Sequence, residues 1–253
     1  HIREEMYERL AGEHAPYNLK FVTNGVSCTT ASIITAALGI RDLALITEVE
    51  IDLIQKIHLL LVMYNAMQPG IVAVSGWDLV GALPLEAEQV LHLMQDGDTR
   101  WIHRGGYDLV DMNPEAELSA EGMPRARSLY GSLIDQLQRP ESFASMVKKI
   151  LAIRQAYSIA SSRQILIPDV ENPSLLLMVH ELPAGKGIQV TALNFGSEPI
   201  TEDVHLPGIS PGVVVDMINE RVEGDLTEAG QMRINLDGYE GLSLRIVNST
   251  PSM

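Results

Sequence analysis

The residues best suited to chemistry are Gly76, Trp77 and Asp78, which directly follow the apolar run Ile71–Ser75. Because β-branched residues dominate that run, it predicts a buried strand. A small residue, a large aromatic ring and a carboxylate at the mouth of a buried strand are types that bind sugars. The ring stacks on an apolar sugar face and the carboxylate binds hydroxyl groups. The alternative is structural: a tryptophan that covers a barrel edge and a turn aspartate.

A second set of candidate residues lies in a long polar stretch from Asp96 to Glu141, which contains Trp101 and Tyr107. Connections of this length are usually functional or disordered, and the interleaved aromatic residues favour an ordered excursion. Five charged or titratable residues of this stretch could bind sugar hydroxyls: Arg100, His103, Arg104, Asp108 and Asp111. A solvated, salt-bridged surface is the alternative for each of them.

Apart from the strand Ile71–Ser75, the elements predicted to position these residues are mainly helices as far as residue 160. Thr47 and Glu50 have the spacing of a capping box at the start of a long helix that reaches about Met67. Pro69 and Gly70 end that pattern. Four further helices are predicted, over Ile2–Ala11, from Thr29 or Thr30 through Leu38, from Pro84 to about Gln95, and from Ser142 to Tyr157.

Beyond Ser161 the sequence changes to short β-branched runs separated by turn residues. Seven such runs predict an antiparallel β-sandwich. They are Gln164–Ile167, Leu175–Leu182, Ile188–Phe195, Val204–Leu206, Val213–Ile218, Met232–Leu236 and Leu242–Val247. We therefore expect two domains, residues 1–160 and residues 161–253.

Composition narrows the classes of partner and compartment. Asp and Glu outnumber Lys and Arg by 33 to 18, and the net charge of -15 argues against nucleic acid or an anionic membrane surface as a partner. Cys28 is the single cysteine, so an intrachain disulfide is excluded and a reducing cytoplasm is the expected compartment. The most apolar helical segment, Ile57–Met67, is too short to span a bilayer and carries His58. We expect no cofactor and no metal.

Three segments resemble the carboxyl half of the alpha-amylase superfamily of glycoside hydrolases. PGIVAVSGWDLVG resembles the eighth-strand motif of that superfamily, with Trp77 and Asp78 at its acidic pair. KKILAIRQAYSIA resembles the eighth helix, and TALNFGSEPI with DGYEGLSLRIV resembles strands of the domain that follows the barrel. The resemblance implies an α/β plus all-β fold: the C-terminal portion of a (β/α)8 TIM barrel in residues 1–160, then a β-sandwich domain in residues 161–253.

Longer strings are similar to the bacterial trehalose synthase family within that superfamily: YNLKFVTNGVSCTTASIITAALGI, PGIVAVSGWDLVGALPL and GDTRWIHRGGYDLVD. This resemblance implies interconversion of maltose and trehalose by a retaining, intramolecular glucosyl transfer. It implies that Trp77 and Asp78 line or support the sugar pocket. It also implies that Trp101 and Tyr107 help to close the pocket against water, although core or rim packing is the alternative for both aromatic residues.

The catalytic motifs of the family are not found between His1 and Met253, so the resemblance assigns no catalytic residue. We expect the sequence to begin in the connection after the seventh barrel strand and to be inactive by itself. Two other functions stay open: a hydrolase or glucosyltransferase of the same superfamily acting on short α-glucans or sucrose, and a noncatalytic carbohydrate-binding or scaffold module. The expected partner is a small sugar, maltose or trehalose, and a homo-oligomer is left open.

Overall fold

A computed structural model describes residues 2–22 and 25–247 of the chain. Two compact units are present. The first comprises the described residues of His1–His58 and Val74–Ser145, and the second those of Leu59–Ala73 and Met146–Met253. The first unit is mainly helical and irregular, and the second packs antiparallel sheet against helix. In the described ranges, no helix combines the length and the apolar composition needed to cross a membrane.

The first unit begins with helix α1 (Ile2–Leu10), a short antiparallel hairpin and helix α2 (Thr30–Ala37). The hairpin strands are β1 (Leu19–Phe21) and β2 (Gly25–Ser27). Helix α2 has the predicted cap, since the hydroxyl of Thr29 accepts from the Ser32 backbone N–H at 3.1 Å and the Ser32 hydroxyl accepts from the Thr29 N–H at 2.9 Å. These reciprocal bonds satisfy backbone donors that the helix itself leaves unpaired.

The long helix α3 (Glu48–Ala66) confirms the predicted capping box. Its Glu50 carboxylate accepts from the Thr47 backbone N–H at 2.8 Å, and the Thr47 hydroxyl accepts from the Glu50 N–H at 3.3 Å. The apolar residues of α3 are only partly buried: Ile54 and Leu60 are buried, whereas Tyr64 is exposed. The first eleven residues of α3 belong to the first unit and the remainder to the second.

The strand predicted at Ile71–Ser75 is wrong. These residues have no regular secondary structure, and Ile71 is 99% exposed. A strand needs a neighbour to satisfy its ladder of backbone hydrogen bonds, and no described residue pairs with this segment. The segment leads into the single-turn helix α4 (Gly76–Leu79), with Ser75 in extended conformation as its N-cap.

The helix predicted from Pro84 is also shorter than expected. Helix α5 (Ala87–Val90) starts three residues later, because Glu86 and Gln89 form its capping box, and a 3-10 turn at Leu91–Leu93 continues it. The long excursion is ordered by a 3-10 helix at Thr99–His103 and by α6 (Leu133–Leu137). Two of its residues join four that precede it in a small buried core: Val80, Ala82, Leu85, Val90, Ile102 and Ala126.

Helix α7 (Phe143–Ala156) is found where it is predicted, and eight strands follow it. The strands are β3 (Arg163–Leu166), β4 (Leu175–Glu181), β5 (Ile188–Asn194), β6 (Ile200–His205), β7 (Gly212–Asp216), β8 (Val222–Leu226), β9 (Gln231–Leu236) and β10 (Gly241–Val247). All their pairings are antiparallel. Seven correspond to the predicted runs, and β8 is an additional strand that the sequence did not predict.

The strands form a six-stranded sheet in the order β3-β4-β5-β10-β7-β8 and a two-stranded sheet of β6 and β9. Alternation places the side chains of each strand on two faces. On one face, Val179 and Leu244 of the larger sheet join Val204 and Ile234 of the smaller sheet in a single apolar cluster. On the other face, Met178 and its neighbours pack on the C-terminal part of α3 and on α7. The six-stranded sheet is thus covered on both faces.

Candidate functional site

Helix α4 carries both central candidates, Trp77 and Asp78, and sends their side chains to different neighbours. It ends at once because Gly81 takes a positive φ of 60°. A Cβ atom at Gly81 would lie 2.7 Å from the ring of Tyr130, so only glycine fits there without displacing that ring. The Gln136 side chain donates to the Leu79 carbonyl at 2.8 Å and ties the helix end to the excursion.

Trp77 is half-buried and packs in the same apolar cluster as Trp101. Its ring is stacked on the imidazole of His103, with centroids 6.2 Å apart and planes inclined by 17°. The Nδ1 atom of His103 is in turn 2.8 Å from the Cys28 carbonyl oxygen. His103, predicted as a direct sugar ligand, therefore lies against Trp77 and is anchored on the backbone after β2.

Trp101 lies on the 3-10 helix Thr99–His103, with the guanidinium of Arg104 4.6 Å from its ring centroid. Arg100 pairs with Asp98 at 2.7 Å and Arg104 with the same carboxylate at 3.5 Å. Hydrogen bonding to Arg100 lowers the pKa of Asp98 to about 2. The two predicted arginine ligands are thus engaged in a local ion-pair network at the surface.

Tyr107 lines a cavity of about 410 Å³ together with Asp108, Leu109, Met112 and Arg125. Its ring lies against α4, because a Cβ atom at Gly76 would be 3.1 Å from the Tyr107 hydroxyl.

Asp108 forms the polar side of this cavity and is held by the backbone. Its carboxylate accepts from the Asn113 N–H at 2.7 Å and from the Val110 N–H at 3.2 Å, and it lies 3.9 Å from the Arg125 guanidinium. The Asn113 and Met112 backbone groups lower the pKa of Asp108. The fifth polar candidate, Asp111, is exposed and adopts a positive φ of 57°.

The side chain of Asp78 points away from Trp77 and Tyr107 and towards a buried polar cluster. Its Oδ1 atom is buried with no hydrogen-bond partner among the described residues, 3.8 Å from Nε2 of His58. The Nδ1 atom of His58 is 3.0 Å from the hydroxyl of Tyr130. Burial raises the pKa of Asp78, although the Thr30 side chain and the Ser75 backbone oppose the rise. Burial also lowers the pKa of His58 to about 4.

The structure therefore packs Trp77 and Trp101 on one apolar cluster and places Tyr107 against Gly76 of α4, whereas Asp78 faces His58. Sequence reasoning did not assign His58 or Tyr130 to the site. The sequence did contain a signal for His58: it is a histidine among the apolar residues of the long predicted helix, where a polar side chain requires a partner. Across the described ranges, no group of three or more His, Cys, Asp or Glu residues could hold a metal ion.

Comparison with solved structures identifies likeness to alpha-amylase superfamily enzymes over part of their length. A mutant of the trehalulose synthase MutB in complex with glucose is 14% identical, covers 75% of this chain and superposes with a TM-score of 0.57. An isomaltulose synthase mutant from Erwinia rhapontici NX5 in complex with D-glucose is 14% identical over 76% of the chain, with a TM-score of 0.53. Eubacterium rectale Amy13B is 14% identical over 78% of the chain, with a TM-score of 0.54.

This chain spans 38%, 38% and 36% of the length of those three solved chains. No family model matches the sequence. No curated protein matches it either. At 14% identity the likeness shows fold alone: mixed helices and antiparallel sheets that match part of these solved chains.

Proposed function

We propose that this chain is part of a sugar-transforming enzyme of the alpha-amylase superfamily, and that its substrates are small glucose-containing sugars. The observation that carries the proposal is the fold likeness to the trehalulose and isomaltulose synthases, two of which were solved with bound glucose. Fold alone does not set function, because one fold hosts many activities. The support from the site is the group of Trp77, Trp101 and Tyr107 around α4.

We propose more specifically that the activity is that of a trehalose synthase, which interconverts maltose and trehalose. The three long strings that resemble that family support this choice, and Trp77, Trp101 and Tyr107 all lie within them. Residues 1–160 then correspond to the C-terminal portion of the catalytic barrel and residues 161–253 to a β-sandwich domain. Cytoplasmic location is part of the same proposal.

In this proposal the aromatic residues bind sugar and exclude water. An isomerase must keep its released glucose unit in the site until that unit attacks the glucosyl-enzyme intermediate, since admitted water would hydrolyse the intermediate. The half-buried Trp77 offers an apolar face, and Tyr107 adds a hydroxyl beside a cavity of sufficient size for a small sugar. Asp78 supports α4 from the other side.

The carboxylates that break and form the glycosidic bond are proposed to lie outside these 253 residues, because no motif of the superfamily that carries them occurs here. The chain alone is then inactive. Its contribution is part of the sugar pocket and the structure that holds it.

The decisive experiment assays the complete product of the reading frame, including the residues upstream of His1, on maltose. Trehalose and free glucose are measured together, and the 253-residue chain is assayed in parallel. Trehalose as the main product supports the isomerase. Glucose as the main product moves the protein to the hydrolases. Absence of any activity on maltose, trehalose, sucrose and short α-glucans contradicts the enzymatic proposal, and turnover by the 253-residue chain contradicts its proposed inactivity.

A further inference from the structure

The buried cluster around Asp78 has a geometry that the sugar site does not explain. His58 and Tyr130 are 2% and 4% exposed, so neither can contact a ligand from solution. Phe143 closes the cluster, with its ring centroid 4.5 Å from that of His58 and 5.0 Å from that of Tyr130. Buried polar side chains in apolar surroundings cost free energy unless they are paired. The pairing of these buried polar side chains therefore requires an explanation.

The polar atoms of the cluster form a chain that ends on α4. The Tyr130 hydroxyl is 3.0 Å from Nδ1 of His58, and Nε2 on the opposite side of the same ring faces Oδ1 of Asp78 at 3.8 Å. A neutral imidazole has one donor and one acceptor nitrogen. A carboxylate favours the tautomer whose N–H faces it, and with the proton on Nε2 the Nδ1 atom accepts from the Tyr130 O–H.

From this geometry we infer that His58 is a positioning residue: held by Tyr130 as the Nε2–H tautomer, it fixes Asp78 and thereby the orientation of Trp77 on the same helical turn. The 3.8 Å separation is too long for a hydrogen bond, and the N–H dipole acts on the carboxylate through a dry environment in which such interactions are strengthened. This inference rests on the proposed function only in its consequence for sugar binding.

Helix α4 needs such support because a single helical turn is not stable by itself. Its N-cap, Ser75, makes no side-chain capping bond, and the preceding segment is not tied into a sheet. Gln136 holds its C-terminal end through the Leu79 carbonyl. Asp78, the residue next to the indole, is held by the Thr30 side chain and the Ser75 backbone, and His58 adds an electrostatic contact to its Oδ1 atom.

The first test observes the tautomer directly in the 253-residue chain. Nitrogen-15 NMR of labelled histidine at pH 8 should give His58 a pyrrole-type Nε2 and a pyridine-type Nδ1. Tyr130→Phe, which removes only the hydroxyl, should reduce this bias. His180 is the matched control because it is also buried and, among the described residues, neither of its ring nitrogens has a hydrogen-bond partner. Its signals should not move in Tyr130→Phe. A His58 ring protonated at Nδ1 overturns the inference.

The second test follows Trp77. In a Trp101→Phe background it is the single tryptophan, so its emission maximum and acrylamide quenching report on α4. His58→Leu should shift both, whereas His58→Gln, which keeps a donor and an acceptor, should retain the original spectrum. Ile34→Ala, a cavity variant in the same unit but outside the apolar cluster on which Trp77 packs, controls for destabilisation alone and should leave the emission unchanged. Equal spectra in His58→Leu and His58→Gln overturn the inference.

In the complete protein, His58→Leu should raise the KM for maltose several-fold more than it lowers kcat, and His58→Gln should restore most of the loss. A protein that lacks activity on maltose refutes the proposed function, while the tautomer and the Trp77 emission still decide the role of His58. If the Nε2–H tautomer is found and His58→Leu shifts the Trp77 emission, but the KM of His58→Leu for maltose is unchanged, the link between α4 and sugar binding is overturned.

Discussion

The guanidinium of Arg154 on α7 donates to the Gln68 carbonyl at 2.6 Å, directly beyond the end of α3. The same group also binds the carbonyls of Ala66 and Gly70. The last carbonyls of a helix have no intrahelical donor, and a planar guanidinium can satisfy several of them at once. Arg154 is therefore the C-terminal cap of α3.

Replacing Arg154 should be costly. Arg154→Met leaves buried carbonyls unpaired and should lower the free energy of unfolding by about 3 kcal/mol. Arg154→Lys supplies only a single ammonium, so its free energy of unfolding should lie between those of Arg154→Met and the wild type. Urea denaturation measures both. The exposed neighbour Lys149→Met is the control and should change stability by less than about 0.5 kcal/mol. A wild-type midpoint for Arg154→Met would show that the cap is dispensable.

Stability should fall in mild acid because of buried histidines. Burial holds the pKa of His58 at about 4, so between pH 6.5 and 4 the unfolded chain binds a proton that the folded chain does not. The contribution is complete above pH 6.5 and is lost as the pH falls. Burial lowers the pKa of His180 as well, which adds a loss of the same sign, whereas the raised pKa of Asp78 acts in the opposite direction.

Urea titrations at pH 7.5 and 5.5 measure this effect. His58 alone should account for a loss of about 1 kcal/mol over this range. His58→Leu should remove that part of the pH dependence, and the exposed His92→Leu should not. An unchanged slope in His58→Leu would mean that the ring binds a proton equally well in the folded and the unfolded chain.

Gly76 should be coupled energetically to Tyr107. The Cβ of Gly76→Ala would meet the Tyr107 hydroxyl at 3.1 Å, so the ring must move by a few tenths of an ångström. Since the ring is partly exposed and can yield, the expected loss of stability is below about 1 kcal/mol. Tyr107→Phe removes the close atom and should recover about half of it in a double-mutant cycle. Tyr107→Phe and Val190→Ala, which lie in different compact units, should be additive.

The aromatic group around α4 should control the fate of the glucosyl intermediate. In the complete protein, Trp77→Ala and Trp101→Ala should increase free glucose relative to trehalose, because each opens the site to water. Chromatographic analysis of both products from maltose measures the ratio. Tyr157→Leu, which removes an aromatic ring stacked on Arg245 in the second unit, should keep the wild-type ratio. Unchanged product ratios in both tryptophan variants would exclude them from the pocket.

Local sequence signals predicted the elements that are stabilised locally. The capping residues Thr29 and Thr47 located the starts of α2 and α3, because the capping bonds join residues only three positions apart. Strand β8 was missed because Val222–Leu226 reads VEGDL, without apolar alternation and with Gly224 at a φ of 145°. Its identity as a strand depends on pairing with β7, which no local pattern encodes.

The sugar-binding roles of the candidate residues stay predictions. Trp77 was chosen because it follows the apolar run Ile71–Ser75, and Trp101 because it lies in a long polar stretch. The direction of the Asp78 side chain could not be predicted from the sequence. Its partner His58 is 20 positions away along the chain, and Tyr130 lies 72 positions from His58. The strand expected at Ile71–Ser75 failed for the same reason: apolar composition is local, whereas a strand requires a neighbour.

The order of strands in the second unit has a consequence for biosynthesis. Strand β10 is the last described strand to be translated, yet it lies between β5 and β7. While Gly241–Val247 is still inside the ribosomal exit tunnel, β3 to β5 and β7 to β8 can form only two separate partial sheets, each with an open inner edge. The nascent chain must keep these edges from pairing with other chains until β10 emerges, so this interval is when it depends most on chaperones.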